Sequence, residues 1–235
     1  MTTMKPFIIL ITLLFAGIRS QAQDMVSLCQ KINVLNDQIL HNSIAKGTAK
    51  KEFKDLMAQL PKAQSLKASW VFPLKGYKSS AIGGVNGNGY SDKGYSYFDG
   101  NKHVAHPAHD IFINDRDQDC LDDRTHQAVV VVTVADGIVL ACTDEWNERS
   151  DLRGGRYIWI YHPALNLITY YAHNRAVIVK PGQQVKQGQQ IAEVGRTGYN
   201  AFKKRSPTHL HFGSYHLVNG LPVPFNSYHL LTKAS

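Results

Sequence analysis

Two short stretches of this 235-residue chain concentrate groups that bind metals and move protons. The first, HVAHPAHDIF at residues 103–112, places His106 and Asp110 four positions apart where a polar loop enters an apolar, strand-like segment. The second, THLHFG, holds His209 and His211 one residue apart. On a strand such a pair projects to one face, because side chains alternate with a period of two. His106, Asp110 and His211 would together offer two imidazole nitrogens and a carboxylate oxygen, donors of the kind zinc takes, with a fourth position left for water. That open position separates a catalytic zinc from a structural one. Another histidine, His173, closes the strand-like run YYAHN. Taken singly, each histidine reads as a surface or hydrogen-bonded residue; the combination points to a metal.

The elements that must hold these groups are mostly short strands. From Trp70 onward, β-rich runs alternate with turn residues, the signature of an all-β domain. AVVVVTVADGIVLAC reads as two strands about an Asp136-Gly137 turn, and GRYIWIYHPALNLITYYAH as a hairpin around Pro163 to Asn166. VKPGQQVKQGQQIAEVGRTG adds short strands punctuated by glycine, and THLHFGSY a late strand. The glycine-rich segment SSAIGGVNGNGYSDKGYSYFDGNKH reads as a long loop, where function often sits. Before this domain, residues 25–60 carry helical periodicity. Leu28, Ile32, Leu35 and Ile39 form one stripe, and Phe53, Leu56, Met57 and Leu60 a second after a break near Gly47, ended by Pro61. Two amphipathic helices follow, either packed on the main domain or covering its site as a propeptide.

Composition adds a location. The first 22 residues read as an export signal: Lys5, the apolar run FIILITLLFAG, and Ser20 and Ala22 at the small-residue positions before a cut ahead of Gln23. That run is shorter than the roughly 20 residues a membrane span needs. The expected organisation is therefore a signal peptide at 1–22, a helical segment at 23–68 and a β-rich domain at 69–235. With no cysteine at the cut, the expected product is secreted or periplasmic and not lipid-anchored, with no stable membrane insertion after cleavage. The chain carries a formal charge of +8, of which the signal holds Lys5 and Arg19 and no acids. A basic mature chain fits an anionic envelope, and export argues against nucleic acid as partner. Export also permits a disulfide among Cys29, Cys120 and Cys142, and the pair flanking the valine-rich run, Cys120 with Cys142, is the expected one.

HPAHD, YYAH and HLHFG, in this order and with VKPGQQVKQGQQIAEVGRTG between the second and third, resemble the lysostaphin and LytM-type zinc metallopeptidases, which cut peptidoglycan cross-bridges and stem peptides. The resemblance implies a mainly β fold, an antiparallel sheet or sandwich with a central groove preceded by a short helical segment. It implies one Zn2+ per chain on His106, Asp110 and His211, catalytic histidines at His173 and His209, and peptidoglycan peptides as substrate. It leaves open which of those two histidines is base and which stabilises the oxyanion.

Two departures stand out. The family usually has glycine where this chain has Ala108, which matters if the backbone there needs a positive φ. The approach to His209 is KRSPTHLH, longer than the family's run. His109, beside Asp110, could compete for the metal or support its ligands. The acidic run NDRDQDCLDD spaces Asp115, Asp117 and Asp119 as a calcium loop would, but Cys120 and His126 stand where such a loop needs glycine and glutamate, so a solvated insertion is expected. The rival readings are a non-catalytic, envelope-binding or hydrolase-activating module, and a carrier domain like the biotinyl or lipoyl ones, which GQQVKQGQQIAEVG also resembles.

Overall fold

The computed structural model describes residues 6–62, 69–102 and 104–234, with side chains from residue 22 onward. His103, the start of the expected signal with most of its side chains, and the boundary expected near residue 68 lie outside what is described. Helix α1 spans Pro6–Leu40, so the expected cut ahead of Gln23 falls within it. Leu28, Ile32, Leu35 and Ile39 are buried, as their spacing requires. The helix ends where Asn42 takes a left-handed φ of 54°, a conformation asparagine tolerates. Helix α2, Lys46–Met57, buries Ala49, Phe53, Leu56 and Met57. Gly47 therefore lies in the first turn of α2, and the break precedes it.

The rest is one antiparallel sheet, as the sequence led us to expect. Its strands are β1 (Ala108–Phe112), β2 (Val130–Val132), β3 (Gly137–Thr143), β4 (Arg156–His162), β5 (Leu167–Val177), β6 (Gln184–Val185), β7 (Gln190–Val194), β8 (His209–Val218) and β9 (Leu221–Pro224). A four-residue helix α3, Tyr228–Leu231, follows. The spatial order is β1-β8-β5-β4-β3-β6; β9 extends β8, and β7 joins β5 to β2. The β4–β5 hairpin forms as expected, turning through Pro163–Leu165 with Asn166 left-handed at φ 48°.

The other expected hairpin does not form. β2 pairs with β7, whereas β3 pairs with β4 and β6. The Asp136 side chain explains the corner between them: it accepts from the Gln187 amide and the Lys186 ammonium, both at 2.8 Å, and so ties the turn to the segment entering β7. An Asp-Gly pair marks a reversal in sequence but does not say which strand receives the returning chain.

Alternation along the strands divides the interior in two. Ile158 and Ile160 of β4, Leu167 and Tyr171 of β5 and Leu210 and Phe212 of β8 face one core together with Leu74, Val131 and Ile191. Tyr157, Trp159 and Tyr161, Ile168, Ala172 and Tyr215 face the other, which α1 and α2 cover. The Trp159 and Tyr170 rings stack at 4.2 Å along this second face. The helices thus pack on the sheet as a layer, and none of their described residues lines the cavity described below.

The three cysteines are free, which corrects the expected Cys120–Cys142 bridge. Cys142 points its sulfur at the Val179 carbonyl, 3.4 Å away. Cys120 sits in the acidic loop, its amide donating to Asp115 at 2.9 Å. Flanking one strand in sequence does not bring two thiols within bonding reach.

Candidate functional site

β1 and β8 are direct neighbours, with Asp110 opposite His211 and Phe112 opposite His209. On the other side of β8, Ala172 of β5 opposes His211. Period-two alternation therefore puts Asp110, His209 and His211 on one face, and His106 reaches the same place from the loop before β1. The ligand atoms of His106, Asp110 and His211 all lie within 4.8 Å of one another. Asp110 Oδ1 is 3.2 Å from His106 Nε2 and 3.0 Å from His211 Nδ1. For comparison, ligands at zinc bond lengths on a tetrahedron stand about 3.3 Å apart.

His173 should face away. Ala172 already points to the site, so a regular strand would turn the next residue to the opposite core. Two features reverse this. Between its pairings with Ile158 and Arg156 of β4, β5 carries one residue more than its partner, a bulge. Within that bulge His173 adopts a left-handed φ of 67°. Its ring then lies 4.9 Å from that of His209 and 5.4 Å from that of His211. A non-glycine residue in this conformation costs about 1–3 kcal/mol and is commonest at functional sites.

Backbone carbonyls fix the tautomers. Nδ1 of His106, His173 and His209 lies 2.9, 2.7 and 2.7 Å from the carbonyl oxygens of Gly89, Thr197 and Pro207. A carbonyl can only accept, so each Nδ1 carries the proton and each neutral ring is left with an Nε2 lone pair. For His106 that lone pair faces Asp110 Oδ1, and His209 Nε2 also approaches the same oxygen, at 3.6 Å. Acceptors converging on acceptors repel unless a cation or proton lies between them. The residues present thus fit a divalent metal such as zinc.

The electrostatics agree. Burial would raise the Asp110 pKa, but His106, which can present an N–H to it once its ring is protonated, and His211 prevail and hold it well below the usual carboxylate value. Burial would lower His106, yet its hydrogen bond to Asp110 and that group's charge together raise it. Burial pushes His211 down to about 4 and His173 well below its ordinary value, the latter helped by the neighbouring histidines. Uncharged imidazoles are the form that binds metal or accepts a proton.

His109 is not part of this cluster. It faces the other side of β1, with Nε2 3.0 Å from Asn226 Oδ1 and its ring stacked on Tyr90. Ala108 lies in β1 and is absent from the positive-φ positions, so its replacement of glycine costs nothing there. The longer approach to His209 is anchored: Arg196 donates to the carbonyls of Lys203 and Ser206 at 3.0 and 2.6 Å. Thr208 donates to Asp115 at 2.5 Å. Asp115, Asp117 and Asp123 converge closely, but Asp115 already accepts from Thr208 and the amides of Asp119 and Cys120. The acidic loop thus braces the strand that carries His209 and His211. Sequence reasoning missed Arg153, Tyr170 and Asn200, which line the cavity with the histidines. They come from separate loops and a strand, and no spacing announces them.

The antiparallel sheet thus carries a His/Asp cluster with two further inward imidazoles, a donor set that fits a divalent metal. Residues 118–224 match the model of peptidase family M23, a stretch that includes His173, His209 and His211 and follows His106 and Asp110. This match bears out the resemblance to LytM-type M23 metallopeptidases. A lipoprotein NlpD/LppB homolog of Pseudomonas aeruginosa is 47% identical over 55 residues, 23% of this chain and 18% of that protein. An uncharacterized metalloprotease of Buchnera aphidicola subsp. Baizongia pistaciae is 32% identical over 82 residues, 35% of this chain and 19% of that protein. The chain thus spans about a fifth of the length of these relatives. A zinc containing peptidase from Vibrio cholerae aligns over 72% of this chain and 40% of its own, with 25% identity and a TM-score of 0.40.

Proposed function

We propose that the protein is an exported zinc endopeptidase of the bacterial envelope that hydrolyses peptide bonds of peptidoglycan. The observation that carries this is the convergence of five side chains on one cavity: His106, Asp110 and His211 as metal ligands, His173 and His209 presenting Nε2 beside them. Zinc held there lowers the pKa of a bound water toward neutrality and polarises the scissile carbonyl. The chain's own residues do the rest. One Nε2 takes the proton of the attacking water as its oxygen bonds to the carbonyl carbon. The same proton returns to the departing amine as the C–N bond breaks. The other imidazole stabilises the oxyanion. Thr197 and Pro207 hold both rings in the orientation this needs.

The lipoprotein relative and the family match support an envelope location. Among the described residues no helix is long and apolar enough to cross a membrane. We read residues 1–22 as the signal, 23–68 as the helical layer and 69–235 as the peptidase domain. The test is metal analysis of the purified chain with digestion of peptidoglycan read by mass spectrometry. Zinc near one equivalent with new peptide fragments supports the reading; zinc-loaded protein that releases nothing would favour a non-catalytic envelope module.

A further inference from the structure

We infer that Thr197 is a positioning residue for His173: its hydroxyl fills the gap that the β5 bulge opens against β4, and so holds the Thr197 carbonyl where it fixes the His173 ring. Its effect on turnover rests on the endopeptidase reading; its effect on the ring does not.

A bulge disrupts the regular hydrogen bonds between two strands and leaves groups that need other partners. Here Arg156 of β4 faces Asn174 of β5, the residue after His173. The Thr197 hydroxyl enters between them from the segment that follows β7. It accepts from the Arg156 amide at 2.9 Å and donates to the Asn174 carbonyl at 2.7 Å. The direction is forced, because an amide N–H only donates and a carbonyl only accepts, so the single hydroxyl proton goes to Asn174. The Asn174 side chain completes the patch, its amide donating to the carbonyls of Arg156 and Tyr171 at 3.0 and 3.1 Å.

The side chain of Thr197 thus serves the strand pair and its main chain serves the ring. The Thr197 carbonyl takes the His173 Nδ1 proton at 2.7 Å, while the His173 amide donates to the Gly154 carbonyl at 2.8 Å. Hydroxyl and carbonyl of one residue therefore grip two successive residues of the bulge. Thr197 is 6% exposed and does not line the cavity, so it holds the ring without meeting a substrate. The next residue leaves no slack: Gly198 has φ 114°, and a β-carbon there would lie 2.8 Å from His173 Nδ1. Without the hydroxyl, the Arg156 amide and the buried Asn174 carbonyl lose their partner, and the backbone relieves that cost by shifting.

Three chains separate the roles: the unmodified protein, Thr197→Val, which keeps the shape and removes the hydroxyl, and Thr197→Ser, which keeps the hydroxyl. Nitrogen-15 NMR of the histidine side chains in the metal-depleted protein at neutral pH reads which ring nitrogen of His173 carries the proton, the signal being assigned by its loss in His173→Ala. Hydrolysis of purified peptidoglycan fragments by the zinc-loaded chains is measured alongside. We expect His173 to be protonated on Nδ1 in the unmodified and serine chains and to populate both tautomers in the valine chain. Thr197→Val should lower kcat about tenfold to a hundredfold, the usual cost of displacing a reacting group or the support behind it. KM and zinc content should stay as they were, and Thr197→Ser should recover most of the loss. A valine chain that keeps the Nδ1 proton and near-normal kcat overturns the assignment, as does a serine chain no better than the valine one. A loss confined to KM overturns it too, because Thr197 would then act on substrate binding. Should the valine variant not fold, Thr197→Ala takes its place under the same criteria. His173 protonated on Nε2 in the unmodified protein overturns the assignment whether or not any variant folds. If the unmodified zinc-loaded chain releases no fragment yet the valine variant loses the single tautomer, the positioning role stands and the endopeptidase reading falls.

Discussion

Replacing His173 separates its backbone from its imidazole. The residue is buried and held at φ 67°, where an L-amino acid meets its own carbonyl and glycine does not. In His173→Ala the β-carbon and its strain remain; in His173→Gly they vanish. The left-handed conformation costs about 1–2 kcal/mol, and the larger chain entropy of unfolded glycine returns part of that. The glycine variant should therefore be the more stable of the two by about 1 kcal/mol. At a denaturant slope of about 2 kcal/mol per molar urea, this separates the midpoints by about 0.5 M. Measured on metal-depleted protein, the difference is free of any binding contribution. Both variants should keep zinc, because His106, Asp110 and His211 are untouched. Both should lose turnover on peptidoglycan fragments by about 10²- to 10⁴-fold, the usual worth of a positioned acid or base. Combining either with His209→Ala should cost less than the product of the single losses if the two rings act on one transition state. An alanine variant as stable as the glycine one would refute the strained geometry. Near-normal turnover with zinc in place would refute the proton role.

Other expectations follow from the same contacts. His211→Ala should lose zinc and activity together, since two donors hold the ion poorly; full zinc occupancy in that variant would show the ligand set to be wrong. Thiol titration of the unfolded protein should count three free cysteines. In the native state at pH 8, Cys29 and Cys142 should react slowly, because burial pushes both up to about 11; a recovered Cys120–Cys142 peptide would contradict the structure. His162 is fully buried between the Asp136 carbonyl and Thr169 Oγ1, and burial lowers it from 6.5 to about 4. As pH falls the unfolded chain protonates first, so the stability this histidine contributes is intact above pH 6.5 and lost toward pH 4. The loss is about 2 kcal/mol by pH 5 and about 3 kcal/mol in full. Urea denaturation of metal-depleted His162→Gln should show that component of the pH dependence missing, and an unaltered profile would sink the assignment.

The convergence of the His/Asp cluster was legible because its logic is local: a period of two for His209 and His211, and a loop-to-strand step for His106 and Asp110. The helical stripes were legible for the same reason, each buried position following from spacing. His173 was found only through the family likeness, since its site-facing direction depends on a bulge and a left-handed φ that a pattern of residue types does not encode. The β2–β3 hairpin and the disulfide failed alike. Both inferred a partner from nearness in sequence, whereas the Asp136 tether and the placement of Cys142 beside the Val179 carbonyl are decided by segments 51 and 37 residues away. Arg153 was invisible because a lone arginine in a loop has no pattern to belong to.

The two helices and the reactive cluster share one face of one sheet, with the Trp159–Tyr170 stack as the wall between them. A polymer laid along that face from the histidines would run into the aromatic wall and then into α1. The cavity is therefore bounded by aromatic rings on the side toward the helices. Under the proposed function, a peptide would have to approach the histidines from a side other than the one the helices occupy.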